Sequence, residues 1–148
     1  MTIEALRELL ARILDSKNQR REAIYASAVK NLGKDLTLLA PDNLGCAESV
    51  SKVVQEVIPS FPIFLSTTQL YAYLMGYWQR VDFPARGDII ISPTGYSTVS
   101  GLHGHTGIMG DGVIYSNNAY TGKFDRHLTI GKWKQLLPSF PIYYFRVK

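Results

Sequence analysis

An α+β fold follows from the order in which two hydrophobic periods appear along the 148-residue chain. Residues 2–78 carry apolar residues at helical 3,4 spacing, whereas residues 87–147 hold short β-branched runs bounded by glycine and proline. Helices first and strands afterwards, without alternation, predict N-terminal helices packed on a small antiparallel sheet rather than a parallel α/β sheet. The length predicts a single domain, 1–148, with an N-terminal helical segment, 1–33, ahead of a core, 34–148.

The first helix is predicted over residues 2–15, where Ile3, Leu6, Leu10, Ile13 and Leu14 form one stripe. That stripe is expected to cover a neighbouring helix or the outer face of the sheet. A second helix is predicted from Asn18 to Leu32, ending at Gly33. After a connector containing Pro41 and Gly45, a third helix is predicted from Cys46 to Ile58, with Val50, Val53, Val54 and Val57 inward and Pro59 as its stop. "STTQ", residues 66–69, reads as a capping box before a fourth helix, "LYAYLMGYW". "GDIIIS", 87–92, reads as a strand. "HTGIMGDGVIYSNN", 105–118, reads as a hairpin around Gly-Asp-Gly, and "PIYYFRV", 141–147, as a last strand.

With 46% hydrophobic and 19% charged residues, the chain is neither disordered nor fibrous. A single cysteine excludes a disulfide scaffold. The net charge of +4 suits an anionic partner. No Gly-rich phosphate loop leads into a helix, and no nucleic-acid partner is expected. No segment approaches the roughly 18 apolar residues that span a bilayer, so stable membrane insertion is not expected. The opening "MTIEALRELLARILDSKNQRR" lacks the basic start, apolar run and cleavage site of a signal peptide. Synthesis in the cytosol is therefore expected, with action outside it only after release or export by a separate route.

The chemistry centres on Cys46, which follows Gly45 at a predicted helix start. Unpaired N–H groups and the positive dipole end there favour thiolate, and could hold the oxyanion of a tetrahedral intermediate. Asn43 or Gly45 could cap the helix. His105 opens the first strand of the hairpin. With a three-residue turn it lies across from Asn117; with a two-residue Asp-Gly turn it faces Asn118. Either asparagine could accept a hydrogen bond from one ring nitrogen and leave the other for the thiol.

"GCAESVSKVV", "PARGDIIIS" and "GHTGIMGDGVIYSNN", in that order, resemble the NlpC/P60 and CHAP superfamily of papain-like cell-wall hydrolases. The resemblance spans about residues 43–120. It implies Cys46 as nucleophile, His105 as general base and Asn117, twelve residues further on, as the polar third residue. An asparagine there is closer to CHAP members than to NlpC/P60 members, which usually carry histidine. The tyrosine often found upstream of the NlpC/P60 cysteine has no counterpart in "GKDLTLLAPDNLGC". The implied activity is peptidoglycan hydrolysis, as an endopeptidase or amidase acting through a thioester, with peptidoglycan or its stem peptide as partner.

"SNNAYTGKF" is the expected substrate-contacting loop, with Asn118, Tyr120 and Lys123 as contacts and His103 lining the cleft. His127 is read as a surface residue, Asp88 as a brace of its strand, and the tyrosines of "YAYLMGYW" as core. A zinc site from His103, His105 and His127 or Cys46 lacks the usual ligand spacing, so neither metal nor cofactor is expected. Two other readings stand beside the hydrolase: an acyltransferase or deamidase of the same scaffold acting on an intracellular lipid or protein, and a non-catalytic binding module. The oligomeric state is left open.

Overall fold

The structure, a computed structural model, describes residues 1–40, 45–93 and 104–148, with the side chain of Lys17 outside the description. Among the described residues, four helices lie against one six-stranded antiparallel sheet, an α+β fold. The strands are β1 (Gln79–Val81), β2 (Ile89–Ser92), β3 (His105–Met109), β4 (Ile114–Asn117), β5 (Phe124–Leu128) and β6 (Tyr143–Arg146). They are arranged in the order β1-β6-β2-β3-β4-β5.

Helix α1 (Ile3–Lys30) is continuous where the sequence predicts two helices. Thr2 caps it, its hydroxyl accepting from the Ala5 N–H at 3.1 Å. The polar run "DSKNQRRE" holds neither glycine nor proline. Loss of the apolar period there does not end the helix. Ile24 and Ala28 are fully buried, but the stripe from Ile3 to Leu14 is exposed, so only the second half of α1 packs on the body. Among the described residues, the expected cover for the stripe is not found.

Helices α2 (Cys46–Gln55) and α3 (Thr67–Tyr77) share that face of the sheet. Val50, Val53 and Val54 of α2 are fully buried among Ile89, Ile91, Ile108 and Phe145. α2 ends three residues earlier than predicted, and the Val57 and Ile58 N–H groups turn back to the Val54 carbonyl. Ser66 caps α3, accepting from the Gln69 N–H at 3.4 Å, as the capping box predicts. A shorter helix, α4 (Ile130–Leu136), covers the opposite face with Trp133 over Ile90, Met109, Ile114 and Leu128. β2 is thus covered on both sides, which explains its unbroken "IIIS".

Asp88 braces the entrance to β2. Its buried carboxylate accepts from the Ala85 N–H at 2.7 Å and from Arg146 of β6 at 2.8 and 3.0 Å. Gly87, at φ +89°, lies so close to the Arg21 carbonyl that a Cβ would collide with it. This contact fixes α1 against the sheet at the point where the helix leaves it.

Candidate functional site

The sheet carries two chemically distinct layers at the start of β3. The pairing sets Ser92 against His105 and Ile91 against Thr106. Ile108 pairs with Tyr115 and Met109 with Ile114, and the Gly110 N–H donates to the Val113 carbonyl at 2.8 Å. The hairpin therefore closes on a two-residue Asp-Gly turn. Carried along the strands, this register sets Thr106 against Asn117 and His105 against Asn118. Side chains alternate across a strand. Ile91, Thr106 and Asn117 accordingly face α2, while Ser92, His105 and Ser116 face α4.

Cys46 is the first residue of α2, with Gly45 as N-cap. A side chain at Gly45 would collide with Thr37 and stand 3.5 Å from Asn117 Nδ2, so glycine is what lets the chain pass. The thiol is buried and reaches the Gly104 carbonyl at 4.0 Å. Burial pushes its pKa up to about 11, against the backbone N–H groups of Thr106, Ala47 and Cys46, which favour the anion. The low-pKa thiol expected at a helix start is thus corrected: desolvation outweighs the helix terminus.

His105 turns away from Cys46. Its Nε2 lies 3.0 Å from Ser116 Oγ, and its ring rests on Trp133, with centroids 5.0 Å apart. The Trp133 indole N–H donates to Ser92 Oγ at 3.0 Å, and Ser92 donates to the Pro141 carbonyl at 2.7 Å. Burial, then the neighbouring His127, lowers the His105 pKa to about 4. At neutral pH both imidazole and thiol are therefore uncharged, on opposite faces of β3. Asn117 lies on the Cys46 side, beside Gly45, and not against the His105 ring as a three-residue turn would have it.

A recess of about 290 Å³ opens on the His105 side, lined in part by Asn118, Tyr120, His127, Trp133 and Leu136. Of the predicted substrate contacts, Asn118 and Tyr120 line it, whereas Lys123 lies exposed outside it. His103 lies outside the described residues, as does Asn43. His127 is half-buried, not a surface residue, and its Nδ1 has no hydrogen-bond partner among the described residues. No three His, Cys, Asp or Glu side chains among the described residues are grouped to hold a metal ion.

Two contributors escaped the sequence reading. Ser116 was a neutral residue between better candidates. Glu48, one turn into α2, is fully buried and accepts from the N–H groups of Leu38, Leu39 and Ala40 at 2.9–3.1 Å. Lys52 pairs with it at 2.9 Å. Burial opposes its ionisation, but Lys52 and the three N–H groups together hold its pKa below the usual range. The carboxylate thereby ties the segment before Cys46 to the helix that Cys46 begins. The i,i+4 Glu48–Lys52 spacing was its one signal in the sequence.

No protein family matches the chain, and no curated protein matches it by sequence. Its fold is similar to that of a chain in the crystal structure of the type VI native effector–immunity complex Tae3–Tai3 from Ralstonia pickettii. That likeness has a TM-score of 0.59 at 18% identity and covers 86% of this chain and 98% of the other.

Proposed function

We propose that this chain is a cysteine-dependent amide hydrolase of the NlpC/P60–CHAP kind, acting on peptidoglycan or its stem peptide as an endopeptidase or amidase. The observation that carries the reading is positional. Cys46 opens α2 directly beside the Gly104–Thr106 segment, so the nucleophile and the histidine candidate belong to one junction of helix and strand. The described geometry is a resting one, with both groups neutral and apart. Chemistry requires the imidazole on the Cys46 side. A backbone turn at Gly104, a residue with wide φ/ψ freedom, would carry it there, and Asn117 stands on that side to orient it.

In that arrangement Cys46 attacks the amide carbonyl while His105 takes the thiol proton. His105 then returns the proton to the leaving amine, and the helix-start N–H groups hold the oxyanion. Water resolves the thioester with His105 as base. The recess beside Asn118 and Tyr120 is the proposed seat of the substrate. The chain would reach a wall after release or export by a separate route.

The same resting geometry favours a second reading, a non-catalytic module that binds a protein partner. The similar fold comes from a complex containing both an effector and an immunity protein, which supports a protein partner under either reading. Incubation of purified sacculi with the native chain, Cys46→Ala and His105→Ala, followed by mass spectrometry of the released fragments, tests both. The hydrolase reading expects muropeptide fragments from the native chain and a loss of at least ~10³-fold on Cys46→Ala. Intact sacculi with the native chain would sink it in favour of the binding module. A trapped thioester without wall fragments would point instead to acyl transfer or deamidation.

A further inference from the structure

We propose that the first half of α1 is a dimerisation arm, pairing antiparallel with the same segment of a second copy of this chain. Every residue from 1 to 20 whose side chain is described is exposed, and burial begins only after it. The projecting part, residues 3–20, is 18 residues and about 27 Å long at 1.5 Å per residue. Its apolar side chains are not scattered. Ile3, Leu6, Leu10 and Ile13 repeat at spacings of three, four and three, the period of a coiled-coil seam, with Leu9 and Leu14 along its margins. Ile3 is 71% exposed and the other five lie between 43% and 59%. Six such side chains offer roughly 500 Å² from each copy, so a pair buries about the 1,000 Å² that a specific interface needs.

Charge and shape select both occupant and direction. Residues 3–10 hold Glu4 and Glu8 against Arg7, while residues 11–20 hold Arg12, Lys17 and Arg20 against Asp15. Antiparallel pairing centred on the stripe, with Ile3 opposite Leu14, sets Glu4 of each arm beside Arg12 of the other; parallel pairing sets like against like. The body of each molecule sits at the C-terminal end of its arm. Antiparallel arms keep the two bodies at opposite ends, and parallel arms force them together. A lipid surface fits less well. Over residues 3–20 the acidic Glu4, Glu8 and Asp15 nearly balance the basic Arg7, Arg12, Lys17 and Arg20, unlike the strongly basic polar face of helices that lie on anionic membranes. The inference is independent of the role of Cys46.

Sedimentation equilibrium of the full chain over roughly 1–100 µM, a range suited to an interface of this modest size, tests it. A reversible dimer of twice the chain mass is expected, and Leu10→Glu should shift it to monomer at every concentration. An unchanged far-UV spectrum of the body and thermal midpoint would confirm that this variant folds. For direction, chains carrying Ile3→Cys and chains carrying Leu14→Cys, both in a Cys46→Ala background, are mixed and oxidised. Crosslinks between positions 3 and 14 are expected, whereas 3–3 and 14–14 crosslinks would overturn the antiparallel arrangement. A native chain that stays monomeric throughout, or a dimer indifferent to Leu10→Glu, overturns the proposal. So does a monomer that binds anionic vesicles through the stripe.

Discussion

The two faces of β3 handle polar burial in opposite ways. On the α2 face the buried carboxylate of Glu48 is kept charged by Lys52 and three backbone donors. On the α4 face the half-buried imidazole of His105 has one hydroxyl partner and an aromatic ring, and is kept neutral. Burial alone disfavours charge on both sides. What differs is the number of partners: four donors overcome desolvation, whereas one hydroxyl does not. Cys46 follows the second pattern although it sits on the first face. The helix-start N–H groups around it are too few to offset its burial.

The sharpest way to break the comparison is Glu48→Ala. It orphans three N–H groups at once and leaves Lys52 only the Leu36 carbonyl and solvent, and should cost about 3 kcal/mol in urea unfolding. A loss under ~1 kcal/mol would show that the segment before Cys46 does not depend on this carboxylate.

Next in size is the response to acid on the α4 face. Burial in the folded chain lowers the His105 pKa from the ordinary imidazole value of 6.5, which the unfolded chain keeps, to about 4. Above 6.5 the group costs nothing. As pH falls from about 6.5 to about 4 the unfolded state gains protons first, so stability drops by on the order of 1 kcal/mol per pH unit. His127, also lowered, adds in the same direction. His105→Phe should flatten that slope in denaturant titrations at several pH values; an unchanged slope would place the titration elsewhere.

Trp133→Phe should cost about 1 kcal/mol through loss of the indole bond to Ser92 while the ring contact with His105 is kept. A neutral result in thermal melts would mean that Ser92 is satisfied by Pro141 alone.

The smallest expected effect sharpens the functional reading. Native Cys46 should be alkylated slowly, with a pH midpoint above the usual thiol value of about 8.5. Ser116→Ala removes the polar contact that holds His105 on the α4 face, and should speed alkylation several-fold at pH 7 if the imidazole then reaches the thiol. An unchanged rate would leave the resting geometry without a release, and would favour the binding module.

Much of this was legible along the chain. Val50, Val53 and Val54, Ser66 with Gln69, and the run Ile89–Ser92 carry strong local periods or caps, and the structure places them as those signals predict. Short or polar elements were not: β1, β5 and the seven-residue α4 are too brief or too mixed to show a period, and tertiary pairing alone maintains them. The candidate site divides in the same way. That Cys46 opens a helix and His105 a strand is local information, written in glycine positions and β-branched runs. Which asparagine shares the face of the imidazole is not, because a one-residue difference in the hairpin turn sends every β4 side chain to the other side of the sheet. Likewise the ionisation of Cys46, His105 and Glu48 depends on how many donors distant segments bring within reach, a sum that only the folded chain performs.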